Sequence, residues 1–371
     1  MPDRSIRQNV LTAARRVVVK IGTNGICDES GRPDAQSISE LAGQIAALRK
    51  GGVDVALVAS GAIGAGMGEL GLAERPKAMP DLQAAAAVGQ GQLMRAFHDA
   101  FARRGLRVGQ VLVTRDDFED RTRYLNIRNT LRALHAMGAV PIVNENDTVA
   151  VDEIRFGEND VLAALVASVT DTDALILLTS VEGVMDAGEV LDAIETVDDR
   201  AFALDSGVRS SRGSGGLATK LEAARLVTQA GEVAVIAGAR VPRVLERLLA
   251  GERLGTLILP AKRRMSSRRR WIGQASRPAG KIAVDAGAAR ALTERGKSLL
   301  PSGITGVIGR FAKGATVSIL DPDGREIARG LTNYSAEQIG RIQGLKSGRI
   351  ADALGDKPYD EVVHRDNLML R

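Results

Sequence analysis

The sequence predicts an α/β chain: a mainly parallel sheet covered by helices on both faces, followed by a small β-rich unit. Three observations carry that prediction. Over the first 260 residues, short β-branched runs alternate with Ala/Leu-rich stretches of helical period. This is the pattern of buried parallel strands joined by crossover helices. At 262–271 the composition changes abruptly to KRRMSSRRRW, six basic residues in ten, and then to a Pro/Gly-punctuated stretch. Beyond it the strands become short and close together, with Asp-Pro-Asp-Gly (321–324) marking a hairpin between two of them.

In chain order the first unit offers strands RVVVKI (16–21), VDVALVA (53–59), RVGQVLVT (107–114), AVPIVN (139–144), ALILLT (174–179) and EVAVIA (232–237). Helical periodicity predicts helices near 34–50, 80–104, 122–138, 158–170 and 217–230. In the second unit KIAV (281–284), GVIGRF (306–311), ATVSIL (315–320), EIARGLT (326–332) and the terminal VVHRDNLML read as strands. The division expected is 1–260 for the first domain, 261–278 for a basic linker and 279–371 for the second domain, in line with a 371-residue chain.

Composition excludes several function classes. At 44% hydrophobic and 26% charged the chain is an ordinary globular one. Aromatics at 3% provide few stacking platforms for single-stranded nucleic acid, and a net charge of +5 over this length implies no general polyanion binding. One cysteine, Cys27, rules out an internal disulfide framework, and His98, His135 and His364 stand too far apart to form a metal-ligand motif. No apolar run reaches the ~18 residues of a membrane span. Arg4, Arg7, Arg15 and Arg16 precede no hydrophobic leader core, so a cytoplasmic protein is expected.

In parallel α/β sheets, ligands bind beyond the carboxyl ends of the strands. Here those ends carry the polar motifs. Lys20 lies inside the first strand and is followed by Ile-Gly-Thr-Asn-Gly; an ammonium there is costly to desolvate without a partner, unless it lies at a frayed strand end and reaches water. Ser60-Gly61-Ala62-Ile63-Gly64 follows the second strand, a small-residue loop whose backbone N–H groups can meet an anion, and also a tight strand-to-helix turn. Asn144-Glu145-Asn146-Asp147 ends another strand. Phe156-Gly157-Glu158-Asn159-Asp160 opens a helix, where Asp160 also suits the helix dipole. SRGSGGLATK (211–220) is either a linker or a Gly-rich approach to a helix N-terminus with a lysine, the makings of a phosphate cradle. Other motif matches fail on context. GMGELG (66–71) begins six residues after its strand, within helix, and not at the strand-to-helix turn that a dinucleotide fingerprint needs. No G-x-x-x-x-G-K-[ST] occurs, and HRD (364–366) lacks the downstream Asn of a protein-kinase loop.

Taken in order, the lysine before Gly-Thr, Ser-Gly-Ala-x-Gly, Asn-Glu-Asn-Asp, Phe-Gly-x-Asn-Asp, Leu-Leu-Thr and Gly-Ser-Gly-Gly-x-x-Thr-Lys resemble the amino acid kinase family, from about residue 14 onward. The C-terminal unit resembles a PUA domain. The Asn-Glu-Asn-Asp and Phe-Gly-x-Asn-Asp pair is similar to that of the family member that phosphorylates the γ-carboxylate of glutamate, the opening step of proline biosynthesis. The resemblance implies an amino acid kinase-like three-layer sandwich, ATP and Mg²⁺ as cofactors, L-glutamate as substrate and a homo-oligomer. It also implies catalytic roles for Lys20, Lys220 and Asp160, the aspartate orienting both lysines. Ser60, Gly61, Ala62, Asn144, Asp147 and Asn159 would hold glutamate. Lys20, Gly22, Thr23, Thr179, Ser180 and the run Ser214, Gly215, Gly216, Leu217, Ala218, Thr219 and Lys220 would hold ATP. No protein-held metal is implied. Thr179-Ser180 and Gly183-Val184-Met185, in the region of the adenine and ribose contacts, depart from the family's usual Thr-Asp and Gly-Leu-Tyr, and the stretch up to the Gly-rich loop is short. Acetylglutamate and aspartate kinases of the same fold, and an RNA-binding PUA protein, are the competing readings.

A carboxylate nucleophile has an ordinary pKa near ~4.3 and is ionised at pH 7, so no general base is needed. What such a reaction needs is positioning and charge neutralisation, because one anion must approach another.

Overall fold

Val17, Val18 and Val19 open a strand because β-branched side chains suit a pleat buried on both faces, and the structure, a computed structural model, places that strand at the centre of the larger sheet. It describes residues 4–28, 30–150, 158–204, 216–261, 272 and 276–370. These form two compact units, one from Met1–Asp117 with Thr122–Arg264 and one from Phe118–Arg121 with Met265–Arg371.

The first unit contains β1 (Arg16–Ile21), β2 (Asp54–Ala59), β3 (Arg107–Val113), β4 (Ala139–Glu145), β5 (Ala174–Thr179), β6 (Met185–Asp186), β7 (Glu189–Val190), β8 (Ala193–Ile194), β9 (Val233–Gly238) and β10 (Thr256–Ile258). Eight of them form one sheet in the order β3-β4-β2-β1-β5-β9-β10-β8, and β6 and β7 pair separately. Every pairing from β3 to β9 is parallel, β9–β10 is antiparallel and β10–β8 is parallel again. In register, Lys20 lies opposite Val58 of β2 and Leu177 of β5. The sheet is thus mainly parallel, as its sequence pattern implies.

The helices up to residue 249 are α1 (Arg4–Thr12), α2 (Ala35–Lys50), α3 (Ala62–Leu70), α4 (Met79–Ala102), α5 (Arg115–Glu119), α6 (Arg121–Ala136), α7 (Glu158–Thr170), α8 (Asp199–Ala203), α9 (Leu217–Gln229) and α10 (Val244–Leu249). Alternation along β1 sorts its side chains between two faces. Val17, Val19 and Ile21 pack with Ile38, Leu41 and Ile45 of α2, Leu93 and Phe97 of α4, and Leu245 of α10. Val18 and Lys20 point the other way, toward the face covered by α7 and α9, which also pack on each other. Helices therefore cover both faces, giving three layers.

The glycines of GMGELG have a packing role. Gly66 in α3 and Gly89 in α4 face each other so closely that a methyl on Gly66 would land on the Ala85 carbonyl oxygen, and one on Gly89 on the Ala62 carbonyl oxygen. At Gly61 the turn into α3 runs through φ 108°, a conformation only glycine adopts without strain.

The second unit holds a five-stranded sheet of β11 (Gly280–Val284), β12 (Ile304–Ile308), β13 (Thr316–Leu320), β14 (Glu326–Leu331) and β15 (Leu368–Leu370), in the order β12-β11-β13-β14-β15. The Asp-Pro-Asp-Gly turn joins antiparallel β13 and β14, with Gly324 N–H donating to the Asp321 carbonyl at 3.0 Å. Ile282, Val317, Ile319, Tyr334, Ile339 and Val363 are among its core. The terminal strand is shorter than its sequence suggests, because residues 365–367 form a 3₁₀ turn that carries two of the HRD residues. Helices at Ala286–Thr293, Ala336–Ile342 and Ile350–Leu354 are additions the strand pattern omits; Ser335 and Gln338 cap the second reciprocally, the S-x-x-Q box.

Candidate active site

The carboxyl ends of β1, β2, β5 and β9 open into a cavity of about 1330 Å³ in the first unit. Lys20, near the end of β1, and Lys220, in the first turn of α9, reach one carboxylate from opposite sides. Lys20 Nζ lies 2.6 Å from Asp160 Oδ1 and Lys220 Nζ lies 3.0 Å from Asp160 Oδ2. Asp160 is 0% exposed, and both lysines are 6% exposed. Thr219 Oγ1 also donates to Asp160 Oδ2, at 3.0 Å. Helix α7 begins at Glu158, so Asp160 sits in its first turn, where the helix dipole favours a negative charge.

The charge count is the informative feature: two ammonium groups share one carboxylate, so these three side chains together carry one positive charge. Burial by itself pushes the Asp160 carboxyl up, but the charges of Lys20 and Lys220 outweigh it and hold the group below its ordinary value. For Lys220, burial is the largest influence and lowers its pKa; Asp160 opposes that, Lys20 adds to it, and the result is a lowered value.

Next to Lys20 the chain turns through Thr23–Gly25, a 3₁₀ turn preceded by Gly22. A Cβ on Gly22 would lie 3.7 Å from Lys20 Nζ, an ordinary contact, which places this turn directly beside the ammonium. On the far side, α9 has Gly216 at its N-cap, which supplies no side-chain cap, and no acid in its first turn. Gly216 and Leu217 line the cavity, so the N–H groups that open the helix lie at its wall.

A second cluster is built from uncharged groups. Asn159 Nδ2 donates to Ser60 Oγ at 2.9 Å and approaches Asn144 Oδ1 at 3.4 Å. Asn144 Oδ1 accepts from the Glu145 N–H at 2.9 Å, and Asn144 Nδ2 donates to Gln90 Oε1 at 2.8 Å. Asn159 Oδ1 is buried with no hydrogen-bond partner among the described residues. It is an acceptor awaiting a donor.

Of the residues singled out from the sequence, Lys20, Gly22, Thr23, Ser60, Asn159, Thr179, Ser180, Gly216, Leu217 and Lys220 all line this cavity. Asp160 lies behind the two lysines, and Thr219 and Ala218 follow in α9. Asn144 joins through Asn159. Gly61 caps α3 and Ala62 is its first residue, with their backbone beside Ser60. Asp147 stands on the turn after β4, three residues from Asn144, and is not among the cavity-lining residues. Ser214 and Gly215 lie outside the described residues, as do Phe156 and Gly157. Gln90 was missed by sequence reasoning: it sits mid-helix in α4, and nothing local distinguishes it from a surface glutamine. Gln83, two turns earlier, donates to the Ala150 carbonyl at 3.1 Å and ties down the same loop.

Comparison with known proteins finds similarity along both units of the chain. Residues 15–238 match the amino acid kinase family and residues 280–354 match the PUA domain. Curated relatives include the glutamate 5-kinase of Moorella thermoacetica, 48% identical over 377 residues and covering 100% of each chain. That of Caldanaerobacter subterraneus is 46% identical, covering 96% of this chain and 97% of the relative. That of Chromohalobacter salexigens is 46% identical, covering 99% of each.

Proposed function

The chain belongs to the amino acid kinase family, and from that premise we propose that it catalyses the ATP-dependent phosphorylation of the γ-carboxylate of L-glutamate. The product is L-glutamyl 5-phosphate, the first intermediate of proline biosynthesis. The observation that carries the site assignment is the buried surplus of positive charge at Lys20–Asp160–Lys220.

In this reading the γ-carboxylate is already ionised and attacks the terminal phosphorus of MgATP, displacing ADP. Lys20 meets the transferring phosphoryl group, Lys220 meets it from the nucleotide side, and Asp160 keeps both ammonium groups aimed at it. The uncapped start of α9, with Gly22, Thr23, Thr179 and Ser180, holds the nucleotide. Magnesium arrives with the triphosphate. It would be held mainly by phosphate oxygens and water. Ser60, the Gly61 and Ala62 backbone, Asn144 and Asn159 position glutamate, and Asp147 faces its ammonium. That last role separates glutamate from its N-acetylated analogue, which has no ammonium.

The same reading includes a kinase domain over 1–260, a linker over 261–278 and a PUA-like domain over 279–371. It also includes a homo-oligomeric cytoplasmic enzyme. Among the described residues no helix is long and apolar enough to cross a membrane. Incubating the full chain with ATP, Mg²⁺, glutamate and hydroxylamine should yield γ-glutamyl hydroxamate, trapped from the acyl phosphate. No hydroxamate with glutamate, but turnover with N-acetylglutamate or aspartate, would move the assignment to another kinase of the fold. RNA binding without ATP turnover would replace it with the RNA-binding reading.

A further inference from the structure

We propose that Arg240 is a third cationic contact of this site, one that engages the β- and γ-phosphates of the nucleotide; the proposal rests on the kinase reading above. The need for it follows from charge. A triphosphate and an attacking carboxylate bring several negative charges together, whereas Lys20, Asp160 and Lys220 sum to a single positive one. Among the described residues lining the cavity the only other cations are Arg240 and Arg243. Arg243 is engaged: its Nη2 lies 2.7 Å from Glu246 Oε2.

Position puts Arg240 on the nucleotide wall, within reach of the turn that follows Lys20. Arg240 follows the end of β9, where the Ala239 N–H donates to the Thr179 carbonyl at 2.7 Å. Ala239 packs on the turn that follows Lys20; a Cβ on Gly25 would lie 3.3 Å from the Ala239 Cβ. The residue after Ala239 therefore sits beside the turn that, in the kinase reading, approaches the transferring phosphoryl group.

Among the described residues no acid of the cavity wall is ion-paired with this guanidinium, and each accepts hydrogen bonds from other groups. Asp28 accepts from Ser30 and Arg32, and Asp34 caps α2 through Gln36 and Ser37. Glu40 accepts from Gln36, and Glu246 is held by Arg243. Arg240 itself is exposed and shows no partner among the described residues. A planar guanidinium with parallel donors is suited to two phosphate oxygens at once.

The test is calorimetric titration of the full-length chain with ATP, ADP and AMP, comparing wild type, Arg240→Ala and Arg240→Lys, with thermal unfolding of each as a control on folding. Arg240→Ala should weaken ATP binding about tenfold, the order expected for loss of one charge-assisted hydrogen bond. AMP, which lacks the β- and γ-phosphates, should be affected far less, and Arg240→Lys should recover part of the ATP affinity. Equal weakening of ATP and AMP, or unchanged ATP affinity in the alanine variant, would overturn the proposal while leaving the kinase reading intact. Failure of the wild-type chain to bind any of the three nucleotides would overturn both.

Discussion

The two halves of the candidate site are prepared for their ligands in opposite ways. On the phosphate side, Lys20, Lys220 and Thr219 already converge on Asp160, so a buried charge has its partners before any ligand binds. On the glutamate side, Asn159, Ser60, Asn144 and Gln90 form an uncharged chain of hydrogen bonds that ends in an unused acceptor, Asn159 Oδ1. The difference follows from the cost of leaving each kind of group alone. An unpaired buried charge costs several kcal/mol, an unpaired amide oxygen roughly 1–3 kcal/mol. A fold can keep the second as a waiting contact but has to compensate the first internally.

That contrast is broken most directly at Asp160. Asp160→Ala leaves two buried ammonium groups without a counter-charge and should cost about 3–5 kcal/mol in urea unfolding, together with nearly all activity. Asn159→Ala, on the other side, should cost only about 1 kcal/mol while still impairing glutamate use. Equal losses of stability would show that the two clusters are not built differently. The same charge logic sets the acid response. The Asp160 carboxyl is held below its ordinary 3.8 in the folded protein, so its contribution is fully present above that value and is lost as pH falls below it. The midpoint of acid unfolding, followed by circular dichroism, should therefore move to higher pH in Asp160→Asn.

Lys20→Met and Lys220→Met should each lower kcat by at least ~100-fold, since each removes charge stabilisation from the transition state. Their effect on folding should be smaller than that of Asp160→Ala, because each deletion leaves a one-to-one buried pair in place of a two-to-one cluster. A variant with near wild-type kcat would place that lysine outside the reaction centre.

Asp147→Asn sharpens the comparison from the glutamate side. Shape is kept and charge is lost, so KM for glutamate should rise about tenfold or more while KM for ATP changes little, the scale of one charged hydrogen bond. Equal effects on both substrates would assign Asp147 to the framework of the loop after β4.

These two halves were also unequally legible in the sequence. The phosphate side could be read because each member breaks a local rule: a lysine among valines in β1, an aspartate in a helix start, a lysine after a glycine run. The sheet was legible for a similar reason, since strands buried on both faces are continuous apolar runs; ALILLT at 174–179 matches β5 residue for residue. Short elements left no such trace. Strands β8 and β10 span only Ala193–Ile194 and Thr256–Ile258, too few residues to show a period. Gln90 was invisible for a different reason. Its role depends on α3 and α4 meeting at Gly66 and Gly89, which sets the position of α4 relative to β4. Such a contact is a product of packing, with no local pattern to announce it.

The smallest effect near neutral pH, and the most specific to the two-to-one cluster, concerns the alkaline limb of activity. Burial and the neighbouring Lys20 lower the Lys220 pKa from its ordinary 10.5, although Asp160 partly opposes them. In the nucleotide-free protein Lys220 should therefore lose its proton at a lower pH than a solvated lysine does. Bound triphosphate adds the missing negative charge beside it and should raise that pKa again. The pH dependence of kcat/KM for ATP reports the free enzyme, whereas that of kcat reports the complex. Hence kcat/KM should begin to fall at a lower pH than kcat does, with both limbs measured at saturating glutamate and Mg²⁺. The separation should shrink in Lys20→Met, where one lysine and one aspartate form a neutral pair and Lys220 no longer has a like charge beside it; its residual activity is low but its pH profile is still measurable by hydroxamate trapping. Superimposed alkaline limbs in the wild type would mean that the nucleotide's phosphates do not change the charge environment of Lys220, and the picture of a cavity wall one anion short would have to be abandoned.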